Sequence, residues 1–196
     1  MNEIVGLLLA AGFSRRYGAQ KLLEPISGGN GMAEESCRHL REATDRVIAV
    51  VRPDQDVLAN ILKKAGAEVT LFDEAPLGMG ATLAFGVKSS PESMGWLIAL
   101  ADMPLIKVST IRVLSETLRS GASLVMPSYR GQRGHPVGFH NKHYEALARL
   151  HGDQGARSII ADQTDSSTIV PVDDAGILYD IDTPADLVRC PTVIRP

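Results

Sequence analysis

Cysteine is scarce in this chain of 196 residues, and so are aromatic side chains, net charge and long apolar runs. The two cysteines, Cys37 and Cys190, sit in unrelated contexts and form neither a CxxC pair nor a disulfide framework, which points to a reducing compartment. Aromatics make up 5% of the residues, too few for a base-stacking groove along single-stranded nucleic acid. A formal charge of −3 gives no general attraction to nucleic acid or to anionic membrane. No stretch reaches the ~18 consecutive apolar residues of a membrane-spanning helix. The apolar start, Ile4 to Ala11, is too short to cross a bilayer and has no positive leader. The chain therefore reads as a soluble cytoplasmic protein with neither a nucleic-acid nor a membrane partner.

What is present is a 44% hydrophobic, 22% charged globular composition at a length suited to one domain over residues 1–196. Ile4–Leu9 and Arg46–Val51 are apolar runs of the kind buried on both faces of a sheet, the second stopped by Pro53. Further strands are expected at Glu68–Phe72, Gly95–Ala101, Ser123–Pro127, Ser167–Val172 and Ile177–Asp180. Asp54 suits the N-cap of a helix whose apolar face is Val57, Leu58, Ile61 and Leu62, ending at Gly66. Helical patterns also cover Gly80–Lys88, Val108–Leu118, Lys142–Leu150 and Gln154–Asp162. Strands alternating with short helices give a Rossmann-like, three-layer α/β/α fold with a mostly parallel sheet.

In such sheets ligands bind beyond the carboxyl ends of the strands, so the residues just after each strand carry the most information. After the first strand come Ala11, Gly12, Ser14, Arg16 and Lys21; after the fourth comes Asp102; the last expected strand leads to Asp180 and Asp182. The loop Leu9-Ala10-Ala11-Gly12-Phe13-Ser14-Arg15-Arg16-Tyr17-Gly18-Ala19-Gln20-Lys21 matches neither a P-loop nor a dinucleotide fingerprint. Its glycines still allow backbone amides to converge on an anion, and Arg16 and Lys21 supply compensating charge. A surface loop with two cations has the same composition. His140 and His143 are spaced i, i+3, but no other Cys or His is arranged near them for zinc, and they read as solvated surface residues.

The spacing Leu-Ala-Ala-Gly-x-Ser-x-Arg-x-Gly-x-x-Lys resembles the signature of the MobA-like NTP transferase family, which includes the molybdenum cofactor cytidylyltransferases. Later segments match in order: Gly78-Met79-Gly80-Ala81-Thr82-Leu83, Leu100-Ala101-Asp102-Met103-Pro104-Leu105, Gly134-His135-Pro136-Val137, Gly152-Asp153-Gln154-Gly155-Ala156-Arg157 and Asp180-Ile181-Asp182-Thr183-Pro184-Ala185-Asp186-Leu187. Two departures stand out. The segment after Lys21 is unusually polar, leaving the next helix few anchors, chiefly Met32, Cys37 and Leu40, and Asp73-Glu74 replaces an asparagine–proline pair.

The resemblance implies a nucleotidyltransferase fold and the transfer of a nucleoside monophosphate to a phosphorylated small-molecule acceptor, with release of pyrophosphate. It implies CTP as donor, because Leu-Ala-Ala-Gly accompanies cytidylyl transfer, and a molybdopterin-type acceptor. Sugar or polyol phosphates, or GTP as donor, are the alternatives, and a non-catalytic nucleotide-binding module is the rival from another class. Arg16, Lys21 and Asp102 are the implied catalytic residues. Leu9, Ala10, Ala11, Gly12, Ser14, Arg16, Lys21, Gly78, Gly80 and Thr82 would bind the nucleotide, and His135, Pro136, Asp153 and Arg157 the acceptor. Asp102 and Asp182 would hold Mg²⁺, with Mn²⁺ as the alternative ion, and a molybdoenzyme maturation protein is an implied partner. Each assignment has a plainer counterpart: Asp102 as a turn-starting residue, Gly78–Gly80 as an ordinary strand–helix turn, Asp153 as a helix cap, and Asp182 as the start of a turn before a Thr183–Asp186 capping box.

Overall fold

The computed structural model describes residues 2–13, 21–26, 29–163 and 166–189. Among them, eight strands form one sheet: β1 (Ile4–Leu9), β2 (Arg46–Val51), β3 (Ala67–Leu71), β4 (Gly95–Leu100), β5 (Leu124–Tyr129), β6 (Gln132–Arg133), β7 (Val137–His140) and β8 (Ser167–Pro171). The order is β3-β2-β1-β4-β7-β5-β6, with β8 pairing β5. β1 to β4 are mutually parallel, and only β6 and β7 run antiparallel to their neighbours. The chain winds outward from β1 to β3 and then crosses back to place β4 on the other side of β1. This reversal opens a crevice at the carboxyl ends of β1 and β4.

Helices cover both faces, which is why the strands read as unbroken apolar runs. Ile4, Leu8, Val47, Ala49, Val51, Leu97 and Ala99 face one layer with α1 (Met32–Ala43), α2 (Asp56–Lys64) and α4 (Val108–Arg119). Val5, Leu7, Ile48, Val50, Trp96 and Ile98 face the opposite layer with α3 (Met79–Lys88) and α5 (Tyr144–Ala148). The polar segment before α1 does not loosen that helix. Met32, Ala33, Cys37 and Leu40 are buried, and the buried Ser36 hydroxyl donates to the Ala101 carbonyl, tying α1 to the exit of β4. The Cys37 thiol is pushed up to about 11 by burial, and this buried thiol is inert.

Several local expectations give way to the tertiary structure. Ile177–Asp180 is not a strand: Ala175–Leu178 is a 3-10 turn, held by Asp174, whose carboxylate accepts from the amides of Gly176 and Lys107 and from the Thr110 hydroxyl. Gly176 packs so tightly on the Leu105 main chain that a Cβ would collide with it, so this position of the turn takes only glycine. Asp54 does not cap α2. Gln55 occupies the cap position without a side-chain bond, while Asp54 accepts from Arg52 Nε at 3.0 Å. The helix expected over 154–162 starts only at Arg157, as α6 (Arg157–Asp162) with Ala156 at the cap, so Asp153 is not its cap either. The helix expected over 142–150 splits into a 3-10 turn, Asn141–His143, followed by α5. His143 is buried rather than solvated, edge-on to Phe139 and 2.8 Å from the Ser123 hydroxyl, while His140 Nδ1 accepts from the Lys142 amide.

Candidate active site

A cleft of about 1100 Å³ lies over the carboxyl ends of β1 and β4. At its floor is Lys21, the first residue of a 3-10 turn (Lys21–Leu23) and only 4% exposed. Its ammonium donates to Asp102 Oδ2 at 2.8 Å and to Asp182 Oδ1 at 2.9 Å. Burial alone would lower the Lys21 pKa, but the two carboxylates outweigh it and the net displacement is upward, so the lysine is held as a cation. Residues 81 and 161 positions away thus converge on one nitrogen.

Main-chain pairing fixes the two carboxylates. Ala101 continues the β1–β4 ladder by donating its amide to Leu9, and Asp102 leaves the sheet at the next residue. The Ile181 amide donates to the Asp102 carbonyl at 3.0 Å, which places the segment carrying Asp182 alongside. The capping box is also present: Asp186 Oδ2 accepts from the amides of Asp182 and Thr183 and from the Thr183 hydroxyl, at the start of α7 (Pro184–Arg189). The capping box and the aimed Asp182 carboxylate coexist because different carboxylates provide them.

Opposite the carboxylates, β6 and β7 line the same side of β5, but their registers differ by two residues, so Gly134-His135-Pro136 bulges between them. A Cβ at Gly134 would collide with the Ile177 carbonyl, and the His135 amide donates to that same carbonyl at 3.0 Å. His135 therefore rides on the turn that leads to Asp180 and Asp182. Burial lowers the His135 pKa, against the opposing pull of Asp102 and Asp180, so the ring is neutral near pH 7. Its Nδ1 is buried and has no hydrogen-bond partner among the described residues.

The remaining wall joins two loops. Gly78 has φ +107°, where a side chain is strained, and a Cβ there would collide with Asp153 Oδ1 and the Gly152 main chain. The Gly80 amide donates to the Gly152 carbonyl at 2.7 Å. Thr82 is buried, and its hydroxyl donates back along the helix to the Gly78 carbonyl.

Of the residues singled out from the sequence, Leu9, Gly12, Lys21, Gly78, Asp102, His135, Asp153, Arg157 and Asp182 line the cleft. Ala10, Ala11, Gly80, Thr82 and Pro136 stand behind its wall. Ala10 and Ala11 are buried in the two core layers, so their methyl groups pack inside rather than facing the cleft. Ser14 and Arg16 lie outside the described residues. The cleft also takes in Arg133, Met126 and Asp180, of which only Asp180 carried a signal, through its motif.

Two oxygen donors beside a cationic centre suit a hard divalent ion that completes its coordination with phosphate oxygens and water. The ammonium already seated between them shows that the position accommodates positive charge. Among the described residues no group of three or more His, Cys, Asp or Glu forms an all-protein cage. Nor is any described helix long and apolar enough to cross a membrane.

Residues 6–168 match the MobA-like NTP transferase domain. The purine catabolism protein PucB of Bacillus subtilis is 31% identical over 199 residues, covering 95% of this chain and 96% of PucB. The bifunctional protein GlmU of Rhodopseudomonas palustris is 28% identical over 165 residues, 82% of this chain but 34% of GlmU, so the match spans about a third of that relative. The crystal structure of Rv0371c from Mycobacterium tuberculosis H37Rv superposes with a TM-score of 0.85 at 25% identity, covering 96% of each chain. The same protein in complex with manganese gives a TM-score of 0.80 at 24% identity, covering 96% of this chain and 97% of that one. With the sheet, the cleft and the ordered motifs in agreement, the chain belongs to the MobA-like NTP transferase family of nucleotidyltransferases.

Proposed function

We propose that the chain, acting over its whole length as one nucleotidyltransferase domain, transfers CMP from CTP to the phosphate of a molybdopterin-type acceptor and releases pyrophosphate. The observation that carries the transfer reaction is the Lys21 ammonium held between Asp102 and Asp182 at the exits of β1 and β4. The choice of CTP rests on the Leu9-Ala10-Ala11-Gly12 sequence of the family's cytidylyl branch. Because Ala11 is buried, any discrimination works through the loop's main-chain path rather than through direct contact of its methyl with the base.

A phosphate monoester is largely dianionic at neutral pH and attacks phosphorus without a general base. One acceptor oxygen forms a bond to the α-phosphorus, the α–β bridging bond breaks, and pyrophosphate leaves with the electron pair. The protein's contribution is placement and charge compensation. Lys21 and Arg16 neutralise phosphate oxygens, and Gly12 and Gly78 let the triphosphate approach the main chain. His135, with its unpartnered buried nitrogen, and Arg157 meet the acceptor beside Asp153, and Pro136 shapes the loop behind them. Asp102 and Asp182 would hold Mg²⁺ or Mn²⁺, which would offset the phosphate charge; the similar Rv0371c is known in complex with manganese.

Incubating the protein with each of the four nucleoside triphosphates, Mg²⁺ and a panel of phosphorylated acceptors, with pyrophosphate as readout, tests each part. Release is expected with CTP and a phosphorylated pterin. A preference for GTP overturns the donor assignment, turnover of a sugar or polyol phosphate overturns the acceptor, and silence with every pair overturns catalysis.

A further inference from the structure

Arg52 is the residue before Pro53, at the point where β2 can no longer pair with the chain leaving β1. The last ladder bond there runs from the Ala10 amide to the Val50 carbonyl at 3.0 Å. Beyond it the Arg52 side chain takes over. Its Nη1 donates to the Ala11 carbonyl at 3.1 Å and to the Gly12 carbonyl at 2.6 Å. Nε is paired with Asp54 at 3.0 Å, and the guanidinium lies 4.4 Å from the centroid of the Phe13 ring. The side chain is 14% exposed, and Arg52 is not part of the cleft wall, whereas Gly12 and Phe13 are.

A trans peptide carries its C=O and N–H on opposite edges. Pulling the Ala11 and Gly12 carbonyls toward Arg52 therefore turns the amides of Gly12 and Phe13 the other way. Reversal of these two peptides would present carbonyl oxygens to a polyanion, which repel it; in the observed sense they present donors, the arrangement of an anion-binding nest. With Asp54 compensating its charge, Arg52 contributes orientation more than attraction.

We propose that Arg52 is a positioning residue that sets the polarity of the 11–12 and 12–13 peptides, so that amides and not carbonyls meet the polyphosphate. This rests on the nucleotidyltransferase reading of the cleft. A planar guanidinium spans two carbonyls in a way a lysine ammonium reproduces only in part.

The test is calorimetry of pyrophosphate and CTP binding in the presence of Mn²⁺, on wild type, Arg52→Ala and Arg52→Lys, alongside Mn²⁺ titration of each protein alone. Arg52→Ala is expected to weaken both pyrophosphate and CTP at least tenfold and by similar factors. Arg52→Lys should recover part of the loss, and affinity for Mn²⁺ alone should be unchanged in both. Wild-type affinity for pyrophosphate in both variants overturns the proposal while leaving the nucleotide site standing. An equal loss of Mn²⁺ binding overturns it in favour of a general structural role. Failure of the wild type to bind either ligand removes the nucleotide reading and this inference with it. If Arg52→Ala does not fold, the lysine variant alone decides, by a pyrophosphate loss set against intact Mn²⁺ binding.

Discussion

Replacing Lys21 by methionine should tighten divalent-metal binding to the nucleotide-free protein while sharply lowering turnover. Methionine keeps the buried stem filled and deletes only the ammonium. That ammonium makes two charge-assisted hydrogen bonds, at 2.8 and 2.9 Å, to carboxylates whose side chains are 24% and 26% exposed. Such bonds contribute about 1.5–3 kcal/mol each. A cation binding between Asp102 and Asp182 must take at least one of them from Lys21, so deleting the competitor should improve metal affinity by roughly 10- to 100-fold, at about 1.4 kcal/mol per decade. In the absence of metal the variant should lose about 1–3 kcal/mol of stability, because the two carboxylates rehydrate only partly and repel each other. A chain of this size then melts a few degrees lower, at roughly 2–4 °C per kcal/mol. Paramagnetic resonance of free Mn²⁺ reads the affinity, and a melting curve with and without Mn²⁺ reads the linked stability. Turnover should fall by about 100-fold or more, the usual scale for removing one preorganised charge-stabilising donor. Equal or weaker Mn²⁺ binding in Lys21→Met refutes the idea that ammonium and metal contend for the same oxygens.

Other perturbations test separate parts of the site. Asp102→Asn should cut metal-dependent pyrophosphate release by about 100-fold or more while its circular dichroism stays native, because the amide oxygen still accepts from Lys21; wild-type rates would remove Asp102 from the metal site. Gly78→Ala, at φ +107° and against Asp153 and Gly152, should cost about 2 kcal/mol or more, visible in urea titration, and an unchanged midpoint would show that the loop yields freely. His143, whose pKa is lowered first by burial and then by Lys142 and His140, is held neutral in the fold. The unfolded chain takes up its proton first as pH falls, so the stability is full above about pH 6.5 and is lost below it. His143→Gln should flatten the dependence of unfolding free energy on pH below about 6.5, and an identical slope in the variant would exclude His143 as its source.

The layer architecture was legible because burial on both faces leaves a direct mark on sequence: Ile4–Leu9 and Arg46–Val51 have almost no polar interruption, and both are central strands. Asp102 was legible for a related reason, since a carboxylate straight after the run Trp96–Ala101 stands at a strand exit. The segment around Ile177 was not legible as a turn. Ile177 and Ile181 are both buried, and their spacing satisfies a strand as well as it satisfies a 3-10 turn followed by an irregular stretch; the Asp174 carboxylate, accepting from the Gly176 amide, marks the turn. Asp153 and Asp54 have the chemistry of caps, yet Asp153 Oδ1 lies against Gly78 and Asp54 accepts from Arg52 two residues earlier. Arg52 gave no local signal, because its partners are 40 and 41 residues earlier and meet it only through the β1–β2 pairing.

The backbone around the two carboxylates would let the proposed cation exchange proceed there without unfolding the site. Asp102 is held by the ladder from β1 and by the Ile181 amide on its own carbonyl. Asp182 is held by Asp186, which collects its amide together with the amide and hydroxyl of Thr183, while the Asp186 carbonyl accepts from the Tyr179 hydroxyl. None of these bonds passes through Lys21. Withdrawal of the ammonium therefore leaves both oxygen donors where they were, and the strain of their mutual repulsion falls on side-chain torsions rather than on the main chain. A site whose donors were positioned by the lysine itself would collapse when a metal displaced it. Here the donors are anchored independently, so the proposed exchange of the ammonium for a divalent ion would leave both carboxylates in place.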